Sequence, residues 1–148
     1  MEPNEQFMLA ALEESKLAKA SGDLPFGAVV VHEGKIVGKG RAQDNTSGDV
    51  TDHAELMAVR EACRTLGTNN LKECIIYCTN EPCMMCAAGI LQAKIPGIII
   101  GASRDDLAFL RPRKLRIDDL VGDSSFMVSI VRGVLKDKVL ELFRDVQK

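Results

Sequence analysis

Three strand-like runs dominate the pattern: FGAVVV (26–31), ECIIYCT (73–79) and IPGIIIGAS (95–103). Each is rich in β-branched residues, and helix-length segments separate the last two from what precedes them. The first run is followed by a tight turn, HEGK (32–35), and a returning strand, IVGKG (36–40). That pair predicts a β-hairpin, which is antiparallel by construction. Strands separated by helices are expected to run parallel. A helix is predicted over residues 4–20, a polar loop over 41–50 and a helix over 52–66 closed by Gly67. A helix is also predicted over 82–93, with Pro82 at its first position, where a missing N–H costs no hydrogen bond. A polar helical stretch over 104–120, interrupted at Pro112, a fifth strand over 126–131 and an amphipathic helix over 135–147 complete the chain. The expected fold is α/β, a three-layer α-β-α arrangement around a mixed five-stranded sheet. One domain over residues 1–148 is expected from the length.

Composition narrows the function classes. Apolar residues make up 46% and charged residues 27%, a globular balance that excludes a disordered chain. No apolar run reaches transmembrane length, and the glutamate-bearing N-terminus has no signal-peptide core. A cytoplasmic location without membrane association is expected. Net charge is −2, so the chain is not broadly a basic nucleic-acid binder, and at 4% aromatics it offers no rich stacking platform. Five cysteines are an odd number, which argues against a complete disulfide framework.

Two clusters carry chemistry. Thr51-Asp52-His53-Ala54-Glu55 and Glu81-Pro82-Cys83-Met84-Met85-Cys86 each open a predicted helix. Cys83 and Cys86 stand at i and i+3, on one side of a helical turn. One imidazole and two thiolates make three ligands and leave a fourth tetrahedral position, the pattern of a catalytic zinc. A helix N-terminus also favours thiolate over thiol. Glu55, two residues after His53, lies roughly 200° around the helix and is not a ligand on the same face. It is placed instead to exchange a proton with a metal-held water. Competing readings exist for both clusters. Asp52-x-x-Glu55 matches a capping box, and Cys83 to Cys86 matches a redox pair. Cys63, Cys74 and Cys78 read as core thiols, and His32 as a turn residue. Met84 and Met85 read as residues that pack the core or line a pocket. Arg111, Arg113, Lys114 and Arg116 read as a solvated charged face.

His53-Ala54-Glu55 with Pro82-Cys83-Met84-Met85-Cys86 resembles the H-x-E…P-C-x-x-C signature of the zinc-dependent nucleobase and nucleoside deaminases. LPFGAVVV (24–31) and the element order are similar to the cytidine deaminase-like fold. The resemblance implies one zinc per chain on His53, Cys83 and Cys86, with Glu55 shuttling protons. It places the Ala54 backbone N–H where relatives hold a base carbonyl or ring nitrogen. The short members are most similar: guanine deaminases, fungal-type cytosine deaminases and tRNA adenosine deaminases. They commonly carry an asparagine eleven residues before the ligand histidine, where it contacts the base. Here that position is Ala42, and Gln43 or Asn45 would take over the contact only with a shifted loop. Phe26 and Phe109 are candidates to stack on a base or to pack the core. Guanine deaminases carry a proton-transfer aspartate after the fourth strand, where this chain has Asp105, Asp106, Asp118 and Asp119. The implied reaction is hydrolytic deamination of a small amino-substituted nucleobase or related heterocycle by a zinc-activated water, releasing ammonia. The alternatives are adenosine deamination in tRNA and a non-catalytic zinc module. A homodimer is implied by the same resemblance.

Overall fold

The computed structural model describes residues 1–146. Helix α1 (Glu5–Ala20) starts where the Asn4 side chain accepts a hydrogen bond from Gln6 N, 2.9 Å away. It ends at Ser21, and Gly22 then takes the left-handed backbone at φ +97°. The hairpin is β1 (Gly27–His32) and β2 (Lys35–Arg41), turning through Glu33 and Gly34, both at positive φ. Helix α2 (Asp44–Ser47) is one turn inside the segment expected to be loop. Helix α3 (Ala54–Leu66) ends at left-handed Gly67. Strand β3 (Cys74–Asn80), helix α4 (Met84–Gln92) and strand β4 (Gly97–Ala102) follow, then α5 (Ile117–Gly122), β5 (Ser129–Val131) and α6 (Lys136–Glu141).

The sheet order is β2-β1-β3-β4-β5. Strand β1 is antiparallel to both neighbours, whereas β3, β4 and β5 are mutually parallel. Crossing from β2 through α3 therefore carries the chain over β1. Strand β4 is buried at every position, as its unbroken apolar run requires. Alternate strand residues serve opposite cores. Val30, Ile76 and Ile98 face α3, α4 and Ile117, whereas Val29, Tyr77 and Ile99 face α1. A third cluster joins Leu12, Leu107, Val139 and Phe143. These two helical layers around a mixed five-stranded sheet form the expected architecture.

Small residues set how closely α3 approaches the sheet. A Cβ on Gly40 would stand 1.9 Å from the Ala54 carbonyl oxygen, and one on Gly38 would stand 2.2 Å from that of Ala58. The α3 face opposite them is Ala54, Ala58 and Ala62. This contact fixes the start of α3, where the first chemical cluster lies.

Several boundaries differ from expectation. Only the ends of the 104–120 stretch are helical, a 3-10 turn at Arg104–Asp106 and α5. Residues between them form an irregular strap of turns and bends around Pro112. The fifth strand shortens to three residues, and the last helix stops at Glu141, with Gln147 outside the described residues. Leu135 takes a left-handed conformation at φ +55°, which breaks continuity into α6. His32 ends β1 and does not belong to the turn.

Candidate active site

Both chemical clusters sit at helix starts on the same side of the sheet, and they meet. His53 is the N-cap of α3, with no cap bond from its side chain. This leaves the imidazole free to face the other cluster. The capping-box reading therefore does not apply: Asp52 lies outside the helix and pairs with Arg60 at 3.5 Å. Cys83 is the N-cap of α4, so Pro82 precedes the cap and does not occupy the first helical position. Cys86 follows in the first turn and is fully buried.

The imidazole and thiol groups converge. His53 Nδ1 lies 3.6 Å from Cys83 Sγ, and the ligand atoms of His53, Cys83 and Cys86 fall within 4.8 Å of one another. Among the described residues this group has three members, and Glu55 is not one of them. The Cys86 thiol donates to Cys83, which with His53 beside it holds the Cys83 thiol down to about 3. Cys86 is pushed far above its ordinary value for the same reason, since it keeps the shared hydrogen. Cys83 in turn raises His53. A thiolate, a thiol and an imidazole thus sit where a divalent cation would displace the protons. Two soft sulfurs and one nitrogen are a donor set suited to zinc. On the far side of the ring, His53 Nε2 faces Asp44 Oδ2 at 3.9 Å. At that separation the contact is one of charge and not a hydrogen bond. Asp44 comes from α2, inside the polar segment that read as loop.

Glu55 is buried beside this group. Burial pushes its carboxyl up to about 7, with His53 opposing and the nearby Cys83 reinforcing. The two clusters floor a cavity of about 440 Å³. Phe26, Ala42, Asn80 and Met85 lie along its wall, with Leu110 and Leu115 contributed by the strap.

The other candidate residues divide. Phe26 and Ala54 line the cavity, and Phe26 also packs on Phe143 with centroids 5.6 Å apart. Gln43 and Asn45 are not brought to it: the Asn45 amide donates to Gly22 O at 2.9 Å, and its backbone N–H donates to Asp23. Phe109 stacks on Phe143 instead of lining the cavity. Met84 and Met85 both line it, contrary to a purely packing role. Asp105, Asp106, Asp118 and Asp119 are engaged elsewhere, with Arg116, Ser103 N, Arg132 and Arg116 N respectively. The cysteine pair is a free dithiol, and Cys63, Cys74 and Cys78 pack against or within the first core cluster.

One interaction has no local signature. Glu81, its side chain 1% exposed, accepts two 2.7 Å hydrogen bonds from the Arg116 guanidinium. It also accepts from Arg104 N at 3.1 Å. This fork fastens the strap to the turn before Cys83, and it raises Arg116 above its ordinary range. The basic face read from the sequence is therefore split. Arg116 is locked to Glu81, while Arg113 lines the cavity.

The family model for the cytidine and deoxycytidylate deaminase zinc-binding region matches residues 1–102. The chain belongs to that family. Among its relatives, the tRNA-specific adenosine deaminase of Aquifex aeolicus is 41% identical over 98 residues, 66% of this chain and 65% of that protein. The guanine deaminase of Bacillus subtilis is 43% identical over 84 residues, 57% and 54% respectively. A solved structure from work on tRNA:A34 deaminases superposes with TM-score 0.82 at 28% identity, covering 94% of this chain and 99% of that one. The sequence matches to those two relatives span less than two thirds of their lengths. The deaminase family supplies the cofactor, zinc, and the model of the zinc-binding region spans His53, Cys83 and Cys86.

Proposed function

We propose that this chain is a single-domain hydrolytic deaminase of an amino-substituted nucleobase or related heterocycle, releasing ammonia. One observation carries the reading: a three-donor metal group and a buried carboxyl with raised proton affinity share the floor of one cavity. His53, Cys83 and Cys86 are the zinc ligands. Zinc held there supplies Lewis acidity that makes water an effective nucleophile near neutral pH. Glu55 would accept one proton from the attacking water and give it to the ring nitrogen, then take the second proton from the hydroxyl so added and give it to the amine that leaves as ammonia. A carboxyl moved up to about 7 suits both directions of transfer. Asp44 places a carboxylate 3.9 Å from His53 Nε2, and the Ala54 N–H, first in α3 and without an intrahelical acceptor, is available to the substrate. The wall formed by Phe26, Leu110 and Leu115 excludes water from the heterocycle. Five free thiols suit a reducing, cytoplasmic compartment. No helix of the described residues is long and apolar enough to cross a membrane. Val50, Met84 and Leu115, exposed apolar residues that also line the cavity, form a rim that a second copy of the chain would cover in a homodimer.

A second reading places the same chemistry on an adenosine of tRNA. It is favoured by the tRNA-specific relatives and by Arg113 at the cavity, a cation available to a phosphate. Ammonia release from free bases, nucleosides and transfer RNA, compared between wild type and Glu55→Ala, separates the two. Turnover of a free base supports the first reading, turnover of tRNA alone supports the second, and no turnover of any substrate defeats both.

A further inference from the structure

Asn80, the last residue of β3, lines the cavity and is 6% exposed. Among the described residues its Nδ2 has no hydrogen-bond partner in the protein. A buried amide donor left unpaired costs stability and calls for a reason. Its orientation is not arbitrary. The Thr79 hydroxyl accepts from Gly27 N at 3.0 Å, and Ser15 Oγ, which also faces Ala11 O at 3.3 Å, lies 3.2 Å from it. Its own hydrogen goes to Asn80 Oδ1 at 2.8 Å, the shorter of two contacts, the other being Gly27 O at 3.2 Å. The amide oxygen is therefore held toward the core, and the NH2 group is the end left over.

Arg113, which also lines the cavity, is an exposed cation, whereas several other polar lining groups are committed. Glu81 and Arg116 bind each other, and Arg104 Nε donates to Arg111 O at 3.0 Å. Ala42, opposite in the hairpin layer, presents only a methyl group. Asn80 is the one side-chain amide among the residues that line the cavity.

We propose that Asn80 is a specificity-determining residue whose Nδ2 donates to a ring carbonyl oxygen of the substrate, selecting amino-heterocycles that carry a carbonyl. An amino group at that edge would set donor against donor, so discrimination comes from rejection as much as from attraction. Adenine, which has no carbonyl, is disfavoured by this arrangement. The proposal rests on the deaminase reading and names the substrate class of that same site.

The test uses the zinc-loaded full chain carrying Glu55→Ala, so that binding is read without turnover. Calorimetry compares guanine with 2-aminopurine and cytosine with 4-aminopyrimidine, pairs that differ by one ring carbonyl and the ring N–H that accompanies it; loss of the preference in the Asn80 variants assigns it to the carbonyl contact. With Asn80 present, the carbonyl-bearing member of at least one pair binds about tenfold tighter. Asn80→Leu brings the members within about twofold of each other, and Asn80→Asp, which keeps the size and puts an acceptor oxygen in place of the NH2, abolishes or reverses the preference. Asn80→Leu also removes the acceptor of the Thr79 hydroxyl, so the readout is the ratio of affinities within each pair and not stability. A purely structural asparagine would leave that ratio at about tenfold in both variants. If Asn80→Leu does not fold, Asn80→Asp reports the ratio by itself. A carbonyl preference that survives both substitutions, or its absence with Asn80 in place, overturns the proposal. Wild-type ammonia release without any carbonyl preference defeats this inference alone. A carbonyl preference without ammonia release from wild type on any substrate defeats the deaminase reading alone.

Discussion

Glu55 carries a cost in the fold that its chemistry explains. Burial lifts its carboxyl from 4.5 to about 7 in the metal-free protein. The unfolded chain releases this proton near 4.5, whereas the folded chain keeps it until about 7. Between those values the unfolded state binds fewer protons, so stability falls as pH rises, and above the upper value the loss is complete. Each pH unit of separation is about 1.4 kcal/mol, so the full penalty is about 3 kcal/mol. Glu55→Gln keeps the size of the side chain and removes the ionisation. Urea unfolding of chelator-treated protein at pH 5 and pH 8 measures the effect. Glu55→Gln should exceed wild type by about 1 kcal/mol at pH 5 and about 3 kcal/mol at pH 8. Zinc loading narrows the gap, because a cation on the three neighbouring ligands stabilises the ionised carboxylate. A variant that is less stable than wild type at pH 8, or a gap that does not grow with pH, would refute the reasoning.

Three further outcomes follow from the site and its supports. Cys83→Ser should lose zinc, measured as metal per chain, and in chelated wild type Cys83 should alkylate at pH 5 while Cys86 resists, since only the former is held as thiolate. Gly40→Ala should destabilise by about 1–3 kcal/mol and weaken zinc binding, because its Cβ would displace the start of α3 beside His53. Gly122→Ala, with nothing within 4 Å of the added carbon, serves as the control that changes neither. Arg116→Ala should cost about 3 kcal/mol by chemical denaturation, because the Glu81 carboxylate is left buried without its fork; replacing Glu81 by Gln in the same chain should recover part of that loss.

The convergence of His53, Cys83 and Cys86 was legible because its information is local. His53 and the Cys83–Cys86 pair each sit at a helix start, where type and spacing are enough to define a candidate ligand set. The hairpin and the buried β4 were legible for the same reason, each being a short run with its own punctuation. What escaped the sequence depends on tertiary contact. Asp44 reads as a turn residue until α2 carries it behind His53. Glu81 and Arg116 are 35 residues apart, and nothing near either announces the other. The same applies to Asn80, whose meaning comes from Thr79, Gly27 and Ser15 around it. The basic segment around Arg113 reads as solvated surface, and Arg111, Arg113 and Lys114 are exposed as expected; what escaped is that Arg116 turns inward to Glu81 and that Arg113 also borders the cavity. Gln43 and Asn45 were suggested by their proximity in sequence to Ala42, but the turn of α2 directs Asn45 toward Gly22 and Asp23.

The central claim is that Glu55 moves the proton for a deamination at the His53, Cys83 and Cys86 metal group. Ammonia release from a panel of bases, nucleosides and transfer RNA, by wild type and Glu55→Gln at matched zinc content, tests it most directly. Wild type should release ammonia from at least one substrate, and Glu55→Gln should lose at least about a hundredfold of that rate while keeping its zinc. Equal rates in the two proteins, or no ammonia from wild type on any substrate, would contradict it.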